Sequence, residues 1–284
     1  MKIEDEVRTA FEPVRLSTRL PDIRSAGRRK TRHRRIFGIA TAMAGAVVVG
    51  IIGPTFLPSD VQSTAAARAL HRLSATASAQ PLVSIRPGEF LYSRFVARWE
   101  SCDGDSCEWQ RNVRETWVAL DGSGRIAGTR GPMAFSEIFG PGSLGVDRDG
   151  EVPTDVDALR AYVDDRASHA DQPLRYEMFV VIADLLRESF SSPVLSPALR
   201  SSLFEVAATV PGVESLGEVE DEKGRRGIGI GYTHGGVRLE LIFDEGTSQI
   251  LGEREVSLES GTTIPGSWIV YLESAVVSSV DQRP

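Results

Sequence analysis

The basic run Arg28-Arg29-Lys30-Thr31-Arg32-His33-Arg34-Arg35 leads directly into a stretch that begins at Ile36 and meets no charge before Asp60. A bilayer core is crossed by a helix of about 20 apolar residues, and flanking Lys and Arg stay on the cytoplasmic side. The junction therefore predicts a basic cytoplasmic tail over 1–35, a single transmembrane helix over 36–57, and an exported C-terminal part. The predicted localisation is the cell membrane, single-pass, with the N-terminus inside.

The charge distribution agrees. Residues 1–57 hold eleven basic and five acidic side chains, a balance of +6, so the remainder must carry −13 to give the formal −7 of the whole chain. A basic head suits the anionic inner leaflet, and an acidic body stays soluble outside. Membrane lipids are thus expected partners. Nucleic acid is not, because the basic run abuts an apolar one and lacks interleaved aromatic residues for base stacking.

The apolar segment has two readings. One is a retained anchor. The other is a cleaved twin-arginine export signal, with Arg34-Arg35-Ile36-Phe37 as its core and Ala65-Ala66-Ala67 as a small-residue cleavage site. The long stretch before the apolar run, and Pro54 and Pro58 before the alanines, favour the anchor. Gly38, Ala42, Ala46 and Gly50 recur every fourth residue, a spacing that lets two transmembrane helices approach as a homodimer, although Gly and Ala are common in such helices anyway.

Residues 58–86, rich in Ala, Ser and Thr, read as a linker with some helical character near Thr64–Leu73. The body is expected over 87–284. Strands come first, over Glu89–Trp99, Trp109–Leu120 and Arg125–Thr129, followed by a Gly/Pro-rich loop from Gly131 to Pro153 anchored by Phe135, Ile138 and Phe139. Three helices follow. Thr154 is placed to cap Asp155–Ala167, Tyr176–Phe190 shows Phe179, Ile182, Leu185, Leu186 and Phe190 at helical spacing, and Ser196-Pro197 is a cap with Pro at the first helical position. Five strands then return, over Ser215–Glu220, Arg226–Thr233, Val237–Asp244, Gln249–Leu258 and Trp268–Val277. Strands, then helices, then strands with tight turns predict an α+β fold with an antiparallel, curved sheet and about three helices inserted between the strand groups.

The chain has two cysteines, Cys102 and Cys107, separated by Asp-Gly-Asp-Ser turn chemistry between two predicted strands. In an exported domain they are expected to form a disulfide at a hairpin tip. A redox pair is the rival, but its usual spacing is Cys-x-x-Cys. Two thiols without nearby His do not complete a zinc site.

Chemistry-bearing motifs are sparse. His33, His71, His169 and His234 have no Ser or Cys partner at readable spacing, and a Gly-x-Ser-x-Gly elbow is absent. Asp147-Arg148-Asp149-Gly150 fails the calcium-loop template, which would place Gly145 and Val156 where charged ligands belong. Gly227-Ile228-Gly229-Ile230-Gly231 sets three glycines on one side of a strand. They could floor a groove for an apolar ligand, or make room for a bulky neighbour, which is the commoner use. No catalytic residue, metal ligand or cofactor is expected.

Several segments form a recognisable set: the Arg-rich tail and single span, Pro87-Gly88-Glu89-Phe90-Leu91-Tyr92, Arg114-Glu115-Thr116-Trp117, Asp121-Gly122-Ser123-Gly124-Arg125, Pro153-Thr154-Asp155-Val156-Asp157-Ala158-Leu159, Asp184-Leu185-Leu186-Arg187-Glu188 and Leu241-Ile242-Phe243-Asp244. Together they resemble an uncharacterised family of actinobacterial single-pass membrane proteins, a resemblance that brings no activity or binding residue. More distantly, the element order resembles the open half-barrels of periplasmic lipoprotein carriers and sigma-E regulators. That resemblance implies a curved sheet over helices, with an apolar ligand or an envelope protein in the concavity. The expected function is a non-enzymatic, membrane-anchored extracytoplasmic sensing or binding domain linked to envelope or sigma-factor signalling. The alternatives are a lipid- or lipoprotein-binding chaperone and a cell-envelope enzyme.

Overall fold

In the computed structural model, the structure describes residues 64–103, 106–144, 152–192, 196–259 and 262–284. The expected tail and transmembrane segment lie outside these residues. Among the described residues, no helix is long and apolar enough to cross a membrane.

The fold is α+β. Helix α1 (Thr64–Ser78) precedes β1 (Phe90–Asp103), β2 (Ser106–Val118), β3 (Gly124–Arg130) and β4 (Met133–Phe139). Helices α2 (Val156–Ser168), α3 (Leu174–Ser191) and α4 (Pro197–Ala207) come next. Then follow β5 (Val213–Glu220), β6 (Arg226–His234), β7 (Val237–Phe243), β8 (Ile250–Glu259) and β9 (Thr262–Val277). All nine strands form one curved antiparallel sheet in the order β4-β3-β2-β1-β9-β8-β7-β6-β5. Two meanders are joined by the pairing of β1 with β9, the sheet does not close, and the inserted helices connect its two edge strands, β4 and β5.

Local chemistry sets the helix starts. Asp155, one residue after the expected Thr154, caps α2 by accepting from the Ala158 amide at 3.0 Å. Ser196 caps α4 through the Leu199 amide at 3.1 Å, with Pro197 at the first helical position, where its missing N–H is no loss. The stretch expected as a linker contributes α1 to the body itself. Its small-residue face (Ala66, Ala69, Ala77) and Leu70 and Leu73 are buried, it packs on α4 and β5, and the Ser74 and Ser201 hydroxyls meet at 2.9 Å. The expected loop after Gly131 contains a strand, β4, paired with β3 over its full length.

Antiparallel partners share a face of the sheet. The helices cover the face bearing Tyr232, Phe243 and Tyr271: Phe179 meets Tyr232, Phe204 meets Phe243 edge-on and Phe190 meets Tyr271, with ring centroids 5.7, 5.1 and 5.0 Å apart. A second, smaller core lies on the opposite face, where Tyr92, Trp117, Ala127 and Val277 pack with Phe90 and Val280. The C-terminal residues close over it. Trp117 Nε1 donates to the Gln282 carbonyl at 2.7 Å, and the Arg283 guanidinium grips both Glu115 oxygens at 2.7 and 2.8 Å.

Bulges bend the sheet. Leu251 is an extra residue in β8 against β7, and Leu272 one in β9 against β1. Arg225, held by Asp221 at 2.7 Å, donates to the carbonyls of Leu251 and Tyr271 at 2.8 and 2.7 Å, so one guanidinium satisfies main-chain acceptors beside both irregularities. Residues Ser59–Pro284 form a compact unit distinct from those before them, and both cores lie within it.

Candidate binding site

Two charged features lie on the helix-facing side of the sheet. The first is an anchoring cluster. Arg187 of α3 pairs with Asp184 on its own helix and with Glu253 of β8, whose side chain is fully enclosed. Tyr271 adds a hydroxyl donor to Glu253 at 3.3 Å. Burial alone would lower the Arg187 pKa, but Glu253 and Asp184 more than reverse that and raise it. Burial pushes the Glu253 carboxyl up, against the pull of Arg187. Every charge here has an opposite partner, and the cluster's effect is to fasten α3 to the sheet. Glu255, two residues along on the same face, is pushed up to about 7, first by burial and then by the Glu253 charge.

The second feature has no such balance. The register sets Phe95 of β1 opposite Arg114 of β2, Arg114 opposite Gly128 of β3, and Gly128 opposite Phe135 of β4. The next row toward the strand ends is Ala97, Asn112, Arg130 and Met133. At about 4.8 Å per strand, Phe95 and Phe135 flank a slot of about 14 Å, with Arg114 between them and no side chain from Gly128. A Cβ at Gly128 would fall 1.9 Å from the Val113 carbonyl oxygen, so only glycine allows β3 to lie so close to β2 here. In the row on the inner side of the slot Ser93, Thr116 and Ile126 are buried and Glu137 is half-buried, whereas in the row on the other side Ala97 and Asn112 are buried and Arg130 and Met133 exposed, so the slot opens toward Arg130 and Met133.

Arg114 is half-buried, its guanidinium lies 5.8 Å from the centre of the Phe95 ring, and its Nε is sealed from solvent without an acceptor. Burial lowers its pKa and the nearby Arg130 lowers it further, while no carboxylate offsets them. Asn112 is buried beside it. Its Oδ1 accepts from the Gly131 amide at 3.0 Å, which fixes the amide orientation and leaves Nδ2 sealed and unpaired. Among the described residues, Arg114 Nε and Asn112 Nδ2 are thus donors without acceptors beside two aromatic rings, and the carboxylate on this face of β4, Glu137, stands in the neighbouring row, two strands away from Arg114.

The residues picked out in sequence are placed as follows. Gly227, Gly229 and Gly231 lie on the face away from the helices, and the space over them is taken by neighbours. A Cβ at Gly229 would stand 2.9 Å from both Leu216 and Val219, and one at Gly227 would stand 2.9 Å from Ile242 and 3.1 Å from Leu251. Gly231 sits under Arg238, whose Nε pairs at 2.7 Å with Glu240, itself held at 2.7 Å by Arg254. The glycine face therefore seats an Arg-Glu-Arg triad and aliphatic side chains. The β1–β2 register sets Cys102 opposite Cys107 at the hairpin end. His71 pairs with Glu205 at 2.8 Å, His169 Nδ1 meets the Asp165 carbonyl at 2.7 Å, and His234 lies against Tyr176. His33 and Asp147–Gly150 lie outside the described residues. Among the described residues, no three His, Cys, Asp or Glu side chains are grouped so as to hold a metal ion.

The chain matches no family model and no curated protein. Sequence reading missed the slot because it exists only once four strands are in register. The one local signal was Gly128 inside a short strand pattern, next to an Arg-rich strand.

Proposed function

We propose that the chain is a membrane-anchored, extracytoplasmic and non-enzymatic binding domain, and that its ligand is taken on the helix-facing side of the β1–β4 meander. The location rests on the junction at Arg28–Ile36 and on the split of +6 against −13. Binding rests on one observation, the half-buried Arg114 guanidinium, whose Nε is sealed without an acceptor and which pairs with no carboxylate among the described residues. An unpaired buried charged group costs more than the about 1–3 kcal/mol of a neutral one, and such a cost is offset when a partner arrives from outside. A domain tethered by a single span, with a site that gains a partner on binding, is suited to report its ligand to the membrane, as in envelope or sigma-factor signalling. The aromatic flanks Phe95 and Phe135 favour, as a second reading, a lipid or lipoprotein carrier, which would also have to release its ligand to an acceptor membrane.

The test is to purify the full chain from exporting cells and analyse its small-molecule extract by mass spectrometry. A bound species at near one per chain, lost in Arg114→Leu, supports a binding domain. Repeated preparations that are empty, or a species retained in Arg114→Leu, refute this assignment of the site.

A further inference from the structure

We propose that the slot over Gly128 binds an anionic amphiphile, with a phosphate or carboxylate head on Arg114, Arg130 and Asn112 and an apolar tail along Phe95 and Phe135. This names the ligand class of the binding site proposed above and rests on that assignment.

The head follows from the donor set. Arg114 and Asn112 are two residues apart on β2, on one face, and Arg130 of β3 is directly opposite Asn112. Among the described residues none of the three carries an ion pair, and Arg114 Nε and Asn112 Nδ2 are sealed without acceptors. A guanidinium offers two parallel N–H groups to a carboxylate or phosphate, and the bond is strengthened where water is excluded. Two like charges with an amide donor beside them are what a single anion with several oxygens would bring together. A cation would be repelled, and a neutral polar ligand would leave the charge of Arg114 uncompensated.

The tail follows from the surroundings. A site for a small free anion needs donors on most sides. Here the same row carries Phe95 and Phe135, the next carries Met133, which is 64% exposed, and Gly128 contributes no side chain between the rings. The about 14 Å from β1 to β4, the strands that carry the two rings, fits an extended alkyl chain better than a bare ion. The ligand also fits the place: the anchor would hold the domain at a surface built from molecules of this class.

The experiment uses the compact unit Ser59–Pro284, titrated by calorimetry with dodecyl phosphate below its micellar concentration, with inorganic phosphate, with dodecyl maltoside, and with a short peptide bearing a free C-terminal carboxylate. One dodecyl phosphate should bind at least tenfold more tightly than each of the other three. Arg114→Leu should lose at least tenfold in that affinity while its thermal midpoint rises, because the sealed charge is gone. Asn112→Asp, which supplies the missing counter-charge from within, should also lose binding, with the circular-dichroism spectrum unchanged. The proposal is overturned if inorganic phosphate or the peptide binds as tightly as the alkyl phosphate, if the neutral detergent does, or if both variants bind like the parent. A chain that binds the alkyl phosphate but whose body is cytoplasmic would keep this site and lose only the proposed location.

Discussion

Glu255→Gln offers a quantitative test of how the sheet and α3 share charge. Glu255 faces the helices opposite Leu239, is half-buried, and its carboxylate makes no hydrogen bond among the described residues. Arg187, the cation that acts on it, is already committed to Glu253 and Asp184. Burial and the Glu253 charge raise the Glu255 carboxyl from 4.5 to about 7 in the folded chain. Between those values the folded chain holds a proton that the unfolded chain has released, so stability falls as pH rises through the window and stays lower above it. A shift of about 2.5 units at 1.36 kcal/mol per unit is an upper limit of about 3 kcal/mol. Glu255→Gln removes the titration while keeping the shape. At pH 8 the variant should be more stable by up to about 3 kcal/mol, a rise of about 6–12 °C in thermal midpoint for a domain of this size. Near pH 4 the two proteins should differ little. Urea denaturation of Ser59–Pro284 and its variant across pH 4–8 reads the difference directly, and groups common to both cancel. A variant no more stable than the parent at pH 8, or a difference that does not change with pH, would show that Glu255 carries no such strained charge.

Two further outcomes follow from backbone geometry. Gly128→Ala would set an ideally placed methyl group 1.9 Å from the Val113 carbonyl oxygen and should cost at least about 2 kcal/mol in a urea melt. An unchanged midpoint would show that β3 is not held so close to β2. We propose that Cys102 and Cys107, opposite each other in the β1–β2 register, are joined in the exported chain. Thiol titration of the denatured, unreduced protein should find no free thiol. The loop is so short that reduction should lower stability by no more than about 2 kcal/mol. Two free thiols in protein recovered from outside the membrane would contradict the pairing.

The α+β plan was legible because its signals are local. Alternation marked β1, β2 and β5 to β9, the Ser196-Pro197 cap marked α4, and helical spacing of Phe179, Ile182, Leu186 and Phe190 marked α3. What escaped depended on neighbours. The β4 strand lies between Pro132 and Gly140, so punctuation suggested a loop, yet pairing with β3 gives Met133–Phe139 its ladder. Helix α1 buries mostly small residues (Ala66, Ala69, Ser74 and Ala77), whose side chains give little periodic signal until α4 is set against them. The glycine alternation of β6 was visible, but its occupants come from β5, β7 and β8. The slot was the least legible feature, because the face shown by Arg114 depends on registers that a shift of one residue would reverse.

We propose that the segment at Ile36 holds the folded body outside a membrane. Fusions of alkaline phosphatase and of green fluorescent protein to the end of the full chain, expressed in bacteria, test it most directly. An exported body should give active phosphatase, no green fluorescence, and full-length protein in the membrane fraction that resists alkaline extraction. Bright green fluorescence with inactive phosphatase would place the body in the cytoplasm and contradict it.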